Sequence, residues 1–190
     1  MNANVGMVYP VAATVQTYTP GSSISYKSPG SNFAEAVSAS LSWERADGHF
    51  YGDDVELDSD NGVLGYTIDF EPTGLSDAAR ALLLGETVSS SEYTITDAAS
   101  PDVGFGYVRV MRDKGTVSYE AWWFYKVKFG VSSEETRTKE RFVEWRVPTL
   151  QGVGAGVSLD SSGTLEFCNH KSFTTLADAK SYLNSKAGIS

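Results

Sequence analysis

Cysteine, histidine and positive charge are all scarce in this chain. Its 190 residues hold one cysteine, Cys168, so no intrachain disulfide can form, which suits a reducing compartment. Two histidines, His49 and His170, leave little for imidazole-based catalysis. Cys168 and His170 stand two positions apart, so on a strand they share a face and a thiol–imidazole dyad is geometrically conceivable. No supporting motif accompanies it, because nucleophile elbow, P-loop and dinucleotide fingerprint are all missing. The expectation is a protein that is not an enzyme and holds no cofactor. Lysine and arginine number 15 against 24 aspartates and glutamates, a net charge of −9. Tight nucleic-acid binding needs clustered cations and is disfavoured. An acidic surface repels DNA, as the wall of a conduit would, and it equally serves plain solubility. No apolar run approaches membrane-spanning length, and the opening MNANVGMVYPV lacks a cationic stretch followed by an apolar one. Neither a membrane span nor a secretory signal is expected, and the protein reads as cytoplasmic when made.

What is present is β-pattern. Hydrophobic residues make up 41% of the chain, enough for a core. Positions 37–44 alternate: Val37, Ala39, Leu41 and Trp43 against Ser38, Ser40, Ser42 and Glu44. Positions 64–71 do the same: Leu64, Tyr66, Ile68 and Phe70 against Gly65, Thr67, Asp69 and Glu71. Period two with matching greasy and polar faces predicts two strands paired in one sheet. A longer run follows Arg112-Asp113-Lys114-Gly115, where glycine supplies the positive φ of a hairpin turn. Val117, Tyr119, Ala121, Trp123, Tyr125, Val127 and Phe129 are assigned to one face of that strand, and Ser118, Glu120, Trp122, Phe124, Lys126 and Lys128 to the other. The second face carries Trp122 and Phe124, so something is expected to cover it, and another subunit is the expected cover.

Two helices are predicted. Ser76 caps one that Gly85 ends, with Leu75, Ala78, Ala79, Leu82 and Leu83 inward. Thr175 caps a C-terminal one, with Asp178 placed to reach back and Leu176, Ala179, Tyr182 and Leu183 inward. Short strands are expected near 93–95 and 165–168, and a loop or weak strand over 152–163. The whole reads as a mostly-β domain, a sandwich or small barrel, with one packed helix and a C-terminal helix. Three regions are assigned: an extended arm over 1–36, rich in Gly, Ser, Pro and Thr; the β-domain over 37–170; and a helical segment over 171–190. The arm is expected to order mainly on assembly, and the C-terminal helix to dock on its own domain.

Two further constellations have alternatives. Asp53, Asp54, Glu56, Asp58 and Asp60 form an oxygen-rich run of the kind calcium favours, but Gly62 occupies the third ligand position of an EF-hand loop and no glutamate closes it. A solvated acidic turn is the plainer reading. Tyr107, Trp122, Phe124 and Trp145 suggest either a sugar-binding platform of a carbohydrate-binding module or ordinary core and subunit packing.

The stretch 104–150 carries Gly104-Phe105-Gly106-Tyr107, the hairpin, Tyr119-Glu120-Ala121-Trp122-Trp123, Lys126-Val127-Lys128-Phe129, Thr136-Arg137-Thr138-Lys139-Glu140 and Glu144-Trp145-Arg146-Val147-Pro148-Thr149-Leu150. With Val5-Gly6, Tyr9-Pro10-Val11-Ala12, Tyr26-Lys27, Asp53-Asp54 and Phe173-Thr174-Thr175 in the same order, the chain resembles the major tail (tail tube) proteins of long-tailed bacteriophages, the group common in phages of Gram-positive hosts. The resemblance implies hexameric rings stacked into a tube, strands of all subunits completing one inner barrel, and a genome passing through without specific binding. It implies a place in the virion, with the chain itself and tail tip or initiator, tape-measure and terminator proteins as partners. It also implies that the 45–62 loop reaches a neighbouring ring. On that footing Ser40, Ser42, Glu44, Thr67, Asp69 and Glu71 are expected to line the lumen. Asp53, Asp54, Glu56, Trp122, Phe124, Arg137, Lys139 and Arg141 are expected at subunit contacts, the acidic residues pairing with the cations.

Overall fold

A computed structural model describes residues 3–32, 35–52, 55–89, 92–94, 99–133 and 147–189; the side chains of 50–60, 88–89, 93 and 132 are outside the description. The strands are β1 (Ala3–Thr19), β2 (Ser23–Tyr26), β3 (Ser31–Asn32), β4 (Ala36–Arg45), β5 (Gly48–Gly52), β6 (Val55–Asp60), β7 (Val63–Pro72), β8 (Thr87–Ser89), β9 (Glu92–Thr94), β10 (Val103–Asp113), β11 (Thr116–Ser133), β12 (Thr149–Gly154) and β13 (Cys168–Phe173). Helix α1 (Asp77–Leu84) lies between β7 and β8, and α2 (Leu176–Ala187) follows β13. The fold is mostly β with two helices, as the periodicities predict.

One sheet dominates, in the order β2-β1-β10-β11-β12-β7-β4, all antiparallel; β3 adds to β1, and β13 runs along the N-terminal half of β11. The predicted pairing of β4 with β7 is present, Ser40 opposite Asp69 and Leu41 opposite Ile68. The β10–β11 turn is the two-residue kind: Asp113 faces Thr116 across it, and Lys114 and Gly115 take φ of 46° and 93°. Both helix caps form as expected. The Ala79 N–H donates to Ser76 Oγ at 3.3 Å, and Gly85 closes α1 at φ 71°. The Asp178 N–H donates to Thr175 Oγ1 at 3.2 Å, and that hydroxyl donates to the Asp178 carboxylate at 2.6 Å.

The long strand β11 does not keep one face. Val103 pairs with Val127 but Phe105 with Phe124, so β11 carries one extra residue there. The bulge exchanges the faces. Ala121, Trp123 and Tyr125 join one core with Val11, Ala13, Val108 and the α2 residues Ala179, Leu183 and Ala187. Phe124, Val127 and Phe129 join the other core with Tyr66, Ile68, Phe70, Phe105, Leu150 and the α1 residues Ala79 and Leu83. Assigning Val127 and Phe129 to the face of Trp123 is therefore corrected. Phe70 packs on Phe105 at 5.2 Å and Tyr66 on Phe124 at 5.2 Å, so two layers stack. One layer is β4, β7, β12 and the C-terminal half of β11; the other is β1, β2, β10 and the rest of β11, with α2 on its outer side.

Residues 1–36 are not an arm hung on the domain. β1 pairs with β10 over residues 3–14 and with β2 over 15–19, with β3 on the other edge at Val11 and Ala12, and Val11, Ala12 and Ala13 are fully buried. The strand expected near 165–168 forms later, as β13. That near 93–95 appears as β9, paired with β8. The 45–62 connection holds a β5–β6 hairpin.

Candidate functional site

The layer of β4, β7, β12 and β11 reads in rows. Trp43, Tyr66, Gly154 and Val127 stand side by side; below them come Leu41, Ile68, Gly152 and Phe129, then Ala39, Phe70, Leu150 and Val131. These rows face the sandwich core. The two glycines are required there: a Cβ on Gly154 would enter the Tyr66 ring, and one on Gly152 would sit 2.6 Å from Phe129 and 2.7 Å from Val127. Tyr66 is fixed in place, its hydroxyl donating to the Lys126 carbonyl at 3.1 Å; burial pushes its ionisation well above the ordinary tyrosine range.

The opposite side of the same four strands is bare. Ser38, Ser40, Ser42 and Glu44 of β4 stand beside Glu71, Asp69, Thr67 and Gly65 of β7, then Gln151 and Val153 of β12, then Gly130 and Lys128 of β11. Ser40, Ser42 and Glu44 are exposed, and Thr67, Asp69 and Glu71 are half-buried among polar neighbours. All six residues expected on a polar wall thus share one surface outside the core. The surface is knit by hydrogen bonds: Ser38 Oγ donates to Glu71 Oε2 at 2.7 Å and Gln151 Nε2 to Asp69 Oδ1 at 3.1 Å. At its border Asp102 holds Lys126 at 3.3 Å and Lys128 at 3.9 Å. Counting Asp102, four carboxylates (Glu44, Asp69, Glu71, Asp102) face two ammonium groups. Gln151, Val153 and Lys128 were not among the expected wall residues; glycines at 152 and 154 hide the period-two signal of β12.

Both flanks of this layer end in free backbone. Among the described residues nothing pairs with the outer edge of β4, nor with the edge of residues 128–133 that faces away from β12, since β10 pairing stops at Val127. β4 is ten residues long and carries neither proline nor lysine, the usual guards of an edge. The free stretch of β1, in contrast, is broken by register shifts at Asn4/Gly6 and Val8/Val11, with Tyr9 at φ 59° and a proline at 10.

The other expected contact residues are placed differently. Phe124 is 0% exposed, in its own subunit's core, stacked on Tyr107 and tilted against Tyr66. Trp122 is partly covered from within: the Arg109 guanidinium lies 4.3 Å above its ring and His170 stacks at 4.6 Å. The expected need for a neighbouring subunit to cover Phe124 is therefore corrected, since its own core covers it; Trp122 is half-buried, with Arg109 and His170 supplying part of its cover. The same burial removes Tyr107 and Phe124 from any sugar platform, and Trp145 lies outside the described residues. Asp53, Asp54, Arg137, Lys139 and Arg141 also lie outside them, as does the side chain of Glu56, so neither their contacts nor the calcium reading is placed.

Cys168 and His170 do share a strand, and the His170 ring stacks on Trp122. Burial pushes the Cys168 thiol up to about 11, with Arg109 opposing only weakly, so the thiol stays protonated at neutral pH. Among the described residues no group of three or more His, Cys, Asp or Glu is arranged to hold a metal, and no helix is long and apolar enough to cross a membrane. Comparison with models of protein families, with curated proteins and with solved structures finds no match for this chain.

Proposed function

We propose that this chain is a structural subunit of a bacteriophage tail tube, assembling into stacked rings whose bore carries the genome. The observation that carries the reading is the four-strand layer: polar and net acidic on one side, apolar on the other and, among the described residues, open at both lateral edges. Strand direction alternates across it, β4 and β12 one way, β7 and β11 the other. An even number of alternating strands has a consequence. A second copy, rotated about an axis parallel to the strands, brings its β4 antiparallel against residues 128–133 of the first. Repetition closes a barrel without a new kind of contact, and the resemblance sets the number of copies at six.

In such a barrel Ser40, Ser42, Glu44, Thr67, Asp69 and Glu71 face the bore. A hydrated acidic wall gives sliding phosphates nothing to grip. The α2 side becomes the exterior. The β5–β6 hairpin follows β4 at the Gly154 end of the layer, and the described part of β11 ends at Ser133, at the opposite end. In a stack, Asp53, Asp54 and Glu56 of one ring then approach Arg137, Lys139 and Arg141 of the next. Of the four aromatics of the carbohydrate-binding alternative, Tyr107 and Phe124 are buried in the core.

Negative-stain microscopy and light scattering of the concentrated protein, alone and with tail initiator proteins, test the proposal. Rings or hollow tubes are expected. A monomer under every condition overturns it.

A further inference from the structure

The sandwich core does not close at the flanks of the four-strand layer. Seven large hydrophobic side chains are exposed among the described residues. Three of them lie on the two strands that bound the layer: Val37 at 58%, beside a register shift in β4, and Trp43 at 38% and Val131 at 41%, on its apolar side. Trp43 stands opposite Tyr66 on β7, and Val131 opposite Leu150 on β12, both partners being core residues. Leu41, between them in height on β4, is only half-buried. Trp43 packs on Tyr66 at 5.6 Å and on Phe167 at 6.1 Å and still leaves 38% of its surface exposed.

We infer that Trp43 is the anchor of the lateral junction, and that its occupant is the 128–133 segment of a second copy of this chain, with Val131 entering the apolar seam. The inference rests on the assembly proposed above and goes beyond it by naming the residues that hold the junction. Three observations choose the occupant. The two free backbone edges meet antiparallel, as shown by the strand directions. They also meet with matching faces, since both strands keep polar side chains on the bare side and apolar ones on the core side. Finally, a Trp fixed by aromatic neighbours loses little side-chain freedom on being covered, which is the character of an interface anchor. Strand pairing alone is a weak source of specificity, because any edge can pair with any other. An apolar seam on one side and serines on the other fixes which way round the strand must lie.

The test uses the full chain. Trp43→Ala and, independently, Val131→Lys are compared with Leu165→Ser, which removes an exposed apolar side chain that lies on neither β4 nor β11. Val131→Lys guards against a folding defect in Trp43→Ala, and thermal melting of each unassembled protein checks the fold. The expected result is a tenfold or greater rise in the critical concentration for assembly, read by pelleting and microscopy, for the two edge variants and no change for Leu165→Ser. If wild type assembles and both edge variants assemble equally well, the anchor is wrong and the tube proposal stands. If Leu165→Ser impairs assembly as much as they do, a general loss of exposed apolar surface replaces the anchor. If wild type never assembles, both fall together.

Discussion

The two halves of β11 are built from similar residues and dressed in opposite ways. The N-terminal half is covered on both faces: Phe124 packs into the α1 core, while Ala121, Trp123 and Tyr125 pack under α2. The C-terminal half keeps only the first cover, with Val127 and Phe129 inside and Lys128 and Gly130 exposed on the other side. The N-terminal half also has strands on both edges, β10 and β13, whereas, among the described residues, 128–133 have one, β12. One strand thus passes from a finished interior into an unfinished border. Residues that build the fold concentrate in the first half, and those proposed to assemble it concentrate beside the second.

Substitutions should separate the two halves by the size and kind of their effect. The largest loss is expected in the doubly covered half. Trp123 is buried against Gly104 and Gly106, its Nε1–H donating to the Tyr26 hydroxyl at 3.2 Å and that hydroxyl donating to the Tyr125 carbonyl at 2.9 Å. Trp123→Ala should lower unfolding stability by about 3–5 kcal/mol in denaturant titration. Gly154→Val should be of similar severity, since the new side chain collides with Tyr66. A change of the same class on the bare side, Val153→Thr, should stay within about 0.5 kcal/mol.

Second in size is a pair of prolines on β4. Of neighbours Ser40 and Leu41, one N–H points toward β7 and the other away from the sheet. Proline at the inward one should cost about 3 kcal/mol and be seen in melting. Proline at the outward one should leave melting nearly unchanged and stop assembly. Two variants with equal effects on both readouts would erase the distinction between folding edge and assembly edge. A gentler change follows on the bare face. Glu44→Lys, Asp69→Lys and Glu71→Lys together should leave tubes intact and slow DNA ejection, measured as the release rate from phage carrying the triple variant.

The smallest effect is chemical. The Cys168 thiol, ordinarily at 9.0, is raised by burial to about 11. A raised folded value means that folding favours the protonated thiol. Its contribution to stability is complete below pH 9 and is lost as pH climbs toward 11. At pH 8 to 9, alkylation by iodoacetamide should be slower in native than in unfolded protein, and should accelerate near pH 11.

The bare half was the easier one to read from sequence. Uninterrupted alternation at 37–44 and 64–71, with serines and carboxylates on one face, gave both strands and their pairing, and their sides except at Val37 and Leu64, which are exposed beside register shifts. Capping residues gave both helix starts, and Lys114-Gly115 gave the turn. The covered half was harder for identifiable reasons. A one-residue bulge near Tyr125 and Lys126 leaves no mark on a period-two pattern, yet it reverses every later side chain. The first strand hides its buried triplet, Val11, Ala12 and Ala13, among Gly, Ser, Thr and Pro, and only its long-range pairing with β10 makes it interior. β12 buries backbone rather than side chain at Gly152 and Gly154, so its greasy face is invisible. The free edges are not in the local sequence at all, being a property of which strands find no partner.

Amide hydrogen exchange, compared residue by residue between unassembled protein and assembled particles, tests the central claim most directly. The account predicts that new protection appears in β4 and in residues 128–133, while amides of β10 and the N-terminal half of β11 are equally protected in both states. Protection gained at the outer edge of β1 or under α2, with β4 and residues 128–133 still exchanging freely in the particle, would contradict it.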